Sequence, residues 1–359
     1  MSRSSSPLCE WLRCRRLQLT LRTAELTGRV ASPLPTGELS HTSTIRSMVR
    51  GRIERMSVSP AGVRSLDDVT YDEVLSDDGT RLVAWTNDPG GLIDGPTVVL
   101  CNGLGTSVWT WPAFLDPGCG VRVVSWNHRG TGGSDRPTDL DRVDIEDFAA
   151  DALSVMDHFG LDRAVVVGWS MGVNTMFELA VRHPERVSGL FAVAGVPGDT
   201  FATMLGPLRI PRVVARGVAT NAARVLKYGG RVLTPVASRL PTGKRTVDVL
   251  SHSGLMMPVA DPELTGRAVA ALLAIPVEWY GHLALHTSRH PRVSLSAITV
   301  PTAFVAGTFD VLAGARSMAT AAARVEGATY TELRGTHFIQ MEQPDRVHAL
   351  LLELLRRVG

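Results

Sequence analysis

Cysteine is scarce in this chain: Cys9, Cys14, Cys101 and Cys119 are the whole complement of its 359 residues, and no two are spaced as a CxxC pair. That excludes a disulfide framework and predicts a reducing, cytoplasmic setting. Long apolar runs are missing as well. No window approaches the roughly 18 consecutive apolar residues that a bilayer-spanning helix needs, and Arg13, Arg15, Arg16 and Arg22 interrupt every apolar stretch where a secretory signal would lie. Net charge is nearly absent, with 37 Lys and Arg against 35 Asp and Glu, which removes the basic excess expected of a nucleic-acid binder. There is no internal repeat, and the Gly-rich segment GTGGSD has neither GxGxxG nor GxxxxGK[ST] spacing, so nucleotide binding is not expected.

What the chain does have is apolar content, 44% with only 20% charged residues, enough for a sizeable core. The small net charge of +2 conceals a segregation: +6 over residues 1–60, −11 over 61–196, +7 over 197–296 and 0 over 297–359. Residues 1–60 are rich in Ser and Arg and carry only a patchy apolar pattern, the composition of a disordered leader. A flexible or membrane-surface arm, a transit-like segment and an upstream start codon, with Met48 or Met56 as the true first residue, all fit this stretch, the last being favoured.

Regular patterns begin at Tyr71. Tyr71–Ser76 and Arg81–Asn87 flank the turn signal Asp77-Asp78-Gly79 and predict a hairpin. Thr97–Cys101, Val121–Trp126, Ala164–Gly168, Gly189–Ala194 and Thr302–Ala306 are short, apolar, β-branched runs of the kind buried on both faces of a parallel sheet. Amphipathic helical patterns at 144–159, 173–183 and 346–358 alternate with them. The fold class that follows is α/β, with a doubly wound, mostly parallel sheet. Residues 197–296 break the alternation: they contain Pro207, Pro211, Pro235 and Pro241, helical fragments and no convincing strand. A structureless loop of that length does not fit a compact domain, so a helical cap insertion is expected between the core parts 61–196 and 297–359.

The segment that carries chemistry is Gly168-Trp169-Ser170-Met171-Gly172, directly after the apolar run AVVV and directly before a helical pattern. A strand-to-helix elbow strains the backbone at the serine, exposes Oγ at the carboxyl end of the sheet, and aims the following N–H toward any oxygen that becomes negative. A serine hydroxyl needs a base, and the base needs an orienting group. Asp310 follows TAFVAGTF, and His337 lies between the strand candidate Thr329–Leu333 and the last helix, so the chain order is Ser, Asp, His. Asp199, also just after a core run, is the rival acid.

With NGLG at 102–105, WNHRGTGGSDRP at 126–137, GWSMG at the elbow, GTFD and GTHF, the chain resembles the α/β-hydrolase superfamily, in particular its capped, serine esterase or lipase-like members. The resemblance covers about residues 70–196 and 297–359. It implies Ser170 as nucleophile, His337 as general base and acid, Asp310 as its orienter, and the backbone N–H groups of Leu104 and Met171 as the oxyanion hole. The chain departs from the family where many members carry His-Gly and it has Asn102-Gly103, and where Val173 replaces a further glycine. Ser134 reads as part of a structural turn in which Arg129 bonds backbone carbonyls, and His128 and His183 read as structural.

His282, His286 and His290 have metal-ligand spacing on a helix, but HLALH lacks the Glu of HExxH, so no metal is assigned and a solvated or pocket-lining face is expected. Apolar members of the insertion, Met256 and Trp279 among them, are expected to join Trp169 in lining a substrate pocket. The expected function is a cofactor-free serine hydrolase acting on a small-molecule, apolar or amphiphilic carboxylic ester. Perhydrolysis or halogenation, C–C bond hydrolysis and acyl transfer are alternatives on the same triad, and a non-catalytic ligand-binding protein is a third class. No nucleic-acid partner is expected; the basic insertion allows a peripheral membrane contact.

Overall fold

The computed structural model describes residues 69–359, apart from residue 117. The leader expected over residues 1–60 lies outside the described residues. Strand β1 (Thr70–Leu75) and β2 (Arg81–Thr86) form the expected hairpin, closed by bonds between Ser76 and Thr80 and by Gly79 at φ +79°. β3 (Thr97–Cys101), β4 (Arg122–Trp126), β5 (Ala164–Trp169), β6 (Val187–Val193), β7 (Thr302–Gly307) and β8 (Thr329–Leu333) complete one sheet, in the order β1-β2-β4-β3-β5-β6-β7-β8. Only the pairings of β2 with β1 and β4 are antiparallel.

The central strands read as continuous apolar runs because both faces are covered. Along β5, Val166 points into a core with Met176 and Phe177 of α2 (Gly172–Arg182) and Ala152 and Val155 of α1 (Ile145–His158). Its neighbours Val165 and Val167 point the other way, toward Leu351 and Leu354 near the end of the chain. α7 (Ala315–Ala322) lies between β7 and β8, and β8 is followed by a short α8 (Ile339–Glu342) and by α9 (Pro344–Val358), which carries those two leucines.

Between β6 and β7 there is no strand. The chain forms α3 (Arg212–Ala237), α4 (Lys244–His252), α5 (Pro262–Leu273) and α6 (Val277–Thr287). Pro235 sits in the last turn of α3, where its missing N–H and the crowding of the Arg231 carbonyl by its ring disturb only the end of the helix. α3 and α6 cross in close contact. A Cβ on Gly230 would lie 2.2 Å from the Glu278 nitrogen and one on Gly281 2.4 Å from the Lys227 nitrogen, so only glycine permits this approach.

Arg129 is fully buried, and the structure revises its expected role. Its guanidinium donates to both carboxylate oxygens of Asp151, to Asp78 and to Ser76 Oγ, with one backbone acceptor, Arg142 O at 2.9 Å. It therefore ties the β1–β2 turn to α1 by charge rather than by carbonyls alone. Ser134 does brace a turn, donating to Asn127 O and accepting from the Val83 N–H. Arg129→Met is expected to cost about 3–5 kcal/mol in urea unfolding, because Asp151 is left buried and unpaired. Adding Asp151→Leu should recover much of that loss; a single-mutant cost under about 1 kcal/mol would contradict this account.

Candidate active site

Ser170 follows the last residue of β5 and precedes α2, and its backbone is left-handed at φ +55°. Its N–H donates to Val193 O at 3.0 Å and its carbonyl accepts from the Val173 N–H at 3.1 Å. Glycine clears the turn on three sides. A Cβ on Gly172 would lie 1.9 Å from Cys101 O, one on Gly168 2.9 Å from the Val173 Cα, and one on Gly195 2.4 Å from Ser170 O. The space that a further glycine would leave at Val173 is made instead by Gly195, whose Cβ would meet Val173 Cγ2 at 2.5 Å.

The structure brings the three residues expected to act together into one line. His337 Nε2 lies 2.7 Å from Ser170 Oγ, and His337 Nδ1 lies 2.9 Å and 3.1 Å from the two oxygens of Asp310. An ionised carboxylate can only accept, so the ring proton belongs on Nδ1, which leaves Nε2 as the acceptor for the serine hydroxyl. Asp310 is wholly buried, and its Oδ1 accepts from the N–H groups of Leu312 and Ala313 at 2.8 Å each. The rival Asp199 points elsewhere: it is paired with Arg212, Arg216 and Arg292.

Neither the Leu104 nor the Met171 N–H donates to a protein acceptor among the described residues. Both residues line the cavity over Ser170. The loop carrying Leu104 is braced by the residue that departs from the family pattern. Asn102 Oδ1 accepts from the Gly103 N–H and from Trp111 Nε1, and its Nδ2 donates to Ser107 O, all at 3.0–3.1 Å. Trp169 supports two sides at once: its Nε1 donates to His337 O at 3.0 Å, and its ring packs so closely on Gly103 that a Cβ there would lie 2.8 Å away.

The cavity holds about 310 Å³. Trp169 lines it, but Met256 and Trp279 do not, which corrects the expected pocket. Met256 packs with Ala268 and Met341. Trp279 is buried with Phe148 and Leu283 and donates from Nε1 to Arg129 O. The wall combines small and medium residues, Ala219, Ala223 and Leu226 of α3 and Ala284 of α6, with aromatic ones, Phe201, Tyr280 and Phe338, and two further apolar members of the insertion, Met204 and Leu272, line it as expected. Alanines give a weaker signal than large apolar residues, and nothing in the sequence separates those that face the cavity from those that face a neighbouring helix.

The histidines of α6 neither line this cavity nor face solvent. His282 Nε2 lies 2.7 Å from Leu140 O, His286 Nδ1 2.9 Å from Asp144 Oδ1, and His286 Nε2 3.3 Å from Asp141 Oδ1. Asp141, His282 and His286 come close enough to share a cation. Yet the His282 nitrogen that faces this group is engaged with a carbonyl, which requires it to donate rather than ligate. These side chains dock α6 onto the acidic loop before α1.

Residues 96–228 match the model of a family described as alpha/beta hydrolase fold. Epoxide hydrolase A of Mycobacterium tuberculosis is 26% identical over 333 residues, which are 79% of this chain and 97% of the relative. Epoxide hydrolase B of the same organism is 31% identical over 141 residues, 36% of this chain and 39% of the relative. Among solved structures, the esterase RhEst1 from Rhodococcus sp. ECU1013 aligns with a TM-score of 0.62 at 18% identity, over 80% of this chain and 99% of that one.

The two candidate acids can be separated by labelling Ser170 with a fluorophosphonate probe. Asp310→Asn is expected to slow labelling by about 10⁴, the cost of holding the wrong histidine tautomer, and Asp199→Asn to leave it within a small factor. The reverse order would move the acid to Asp199.

Proposed function

We propose that this chain, which belongs to the α/β-hydrolase superfamily, hydrolyses a carboxylic ester through an acyl-enzyme on Ser170. One observation carries the reading: Ser170 Oγ sits 2.7 Å from a histidine nitrogen whose partner nitrogen faces a buried, doubly N–H-bonded carboxylate. His337 Nε2 takes the hydroxyl proton as Oγ adds to the ester carbonyl carbon. The carbonyl oxygen becomes an alkoxide, and the Leu104 and Met171 N–H groups receive it, Met171 with the added field of the α2 N-terminus. The tetrahedral intermediate collapses, the C–O bond to the alcohol breaks, and His337 returns the proton to the leaving oxygen. Water, deprotonated by the same nitrogen, then adds to the acyl carbon and releases the acid and the serine. Asp310 stays ionised throughout and stabilises the imidazolium that forms twice in each cycle.

The wall of the cavity favours a small to medium apolar acyl or alcohol part, with residues 197–296 acting as a cap over the serine. The esterase name of one structural relative agrees with this. The epoxide hydrolase names of others invite a second reading, which the chemistry of residue 170 disfavours. A serine oxygen that opened an epoxide would form an ether, and an ether offers the triad's water no carbonyl to attack. An ester leaves an acyl group that the same water can remove.

Ser170→Ala is expected to lower kcat on p-nitrophenyl esters by about 10⁶, and survival of most of the rate would sink the assignment. Ala219→Phe, which fills the cavity from α3, should lower kcat/KM for hexanoate at least tenfold relative to acetate. Equal losses on both esters would mean that the cavity does not hold the acyl chain.

A further inference from the structure

The large hydrophobic side chains that stand exposed are not scattered over the molecule. Of those among the described residues, most lie between Leu208 and Leu255, and α3 carries the densest group. Val214, Val218, Val225, Val232 and Val236 are each half exposed or more. At 3.6 residues per turn they fall within about 40° of one another, and Tyr228 widens the row to about 80°. A contiguous row of this kind marks an interaction surface, whereas single exposed valines would need no explanation.

Charge of one sign accompanies the row. From residue 200 through residue 247 the chain has nine Lys or Arg and no Asp or Glu. Asp199 engages Arg212 and Arg216. Arg224 and Arg231 border the row on its Tyr228 side, and both are exposed; Arg224 donates to Asn221 Oδ1, and neither has a carboxylate partner among the described residues. The third face of α3, Ala219, Ala223 and Leu226, walls the cavity over Ser170. Of all the cavity's wall residues only Ala222 of α3 and Leu272 of α5 are exposed, which puts the opening between these helices, beside the valine row.

An apolar row bordered by unneutralised cations fits a surface that is apolar below and anionic above. A second copy of this chain fits it poorly, because stacking row on row would set two groups of unpaired arginines against each other. We infer that α3 docks on an anionic membrane surface, with its valine row at the acyl boundary and Arg224 and Arg231 among the headgroups. The cavity then opens toward the lipid, and its ester is an amphiphile drawn from the membrane. That last consequence rests on the hydrolase reading; the docking does not. No single helix among the described residues is long and apolar enough to cross a membrane.

The test mixes the full chain with vesicles of phosphatidylglycerol and phosphatidylcholine in equal parts and measures co-sedimentation. Binding is expected at low salt, weaker on phosphatidylcholine alone and weaker at 1 M salt, where the screening length shrinks to about 3 Å. Val225→Asp/Val232→Asp and Arg224→Glu/Arg231→Glu should each lower binding by about tenfold or more. Both pairs should leave hydrolysis of p-nitrophenyl acetate within about twofold, which shows the fold intact. Absence of vesicle binding would overturn the inference, and so would binding that both pairs leave unchanged, since it would then belong to another part of the chain. A concentration-dependent dimer that Val225→Asp/Val232→Asp dissolves would assign the row to a second copy instead. Vesicle binding by a chain that hydrolyses no ester would leave the docking standing and remove the hydrolase reading.

Discussion

The left-handed backbone of Ser170 is the constraint on which the rest of the site depends. A residue with a Cβ held at φ +55° costs on the order of 1–2 kcal/mol. That cost is met only because the ends of three strands converge there. Val193 of β6 accepts the Ser170 N–H, the Cys101 carbonyl of β3 leaves no room for anything larger than Gly172, and Gly195 yields space to Val173. The strain lifts Oγ out of the sheet to meet His337 and turns the Met171 N–H outward at the head of α2. A relaxed backbone at residue 170 would lose both together.

The partners of the serine sit in short loops whose starting points the strand register sets and which are tied to each other by the Phe309 N–H donating to Gly335 O. Asp310 follows β7 and His337 follows β8, and these strands pair in parallel from Ala303 with Thr329 to Gly307 with Leu333. The distance between the two side chains is thus set by backbone hydrogen bonds across adjacent strands, while Trp169 Nε1, from β5, fixes the carbonyl of His337 from the other side. Asp199 has a strand end of its own but spends its charge on three arginines. The division of labour among the acids is therefore electrostatic as well as positional.

Much of this was legible in the sequence, and the reasons are physical. Thr97–Cys101 and Thr329–Leu333 match their strands residue for residue, and the other core strands differ from their apolar runs by one or two residues at an end. A strand buried on both faces has no alternative to a continuous β-branched run. The chain order of Ser170, Asp310 and His337 likewise carries its own geometry once each is assigned to a strand end. The pocket was legible only in part, since Trp169 and the insertion residues Met204 and Leu272 do line it while Met256 and Trp279 do not. An apolar residue on a helical insertion faces the cavity, the core or solvent according to crossings set by Gly230 and Gly281, so Trp279 went to the core and Val225 to the surface, and alanines took part of the wall. The partners of Arg129 were hidden for a similar reason, because Asp78 and Asp151 reach it from opposite sides through the fold.

The insertion joins two properties that sequence composition kept apart, a basic excess and an apolar cavity wall, on different faces of one helix. The core supplies the acidic loop into which His282 and His286 dock, so the −11 and +7 segments meet as neighbours through specific contacts as well as by long-range attraction. The catalytic reading turns on covalent chemistry at one oxygen. The most direct measurement is rapid mixing of the full chain with p-nitrophenyl acetate, followed by acid quench and peptide mass analysis. A burst of nitrophenolate stoichiometric with the protein, and an acetyl group on the peptide that contains Ser170, are the predicted results; a linear time course with no acyl group at that residue, or acylation elsewhere, would contradict it.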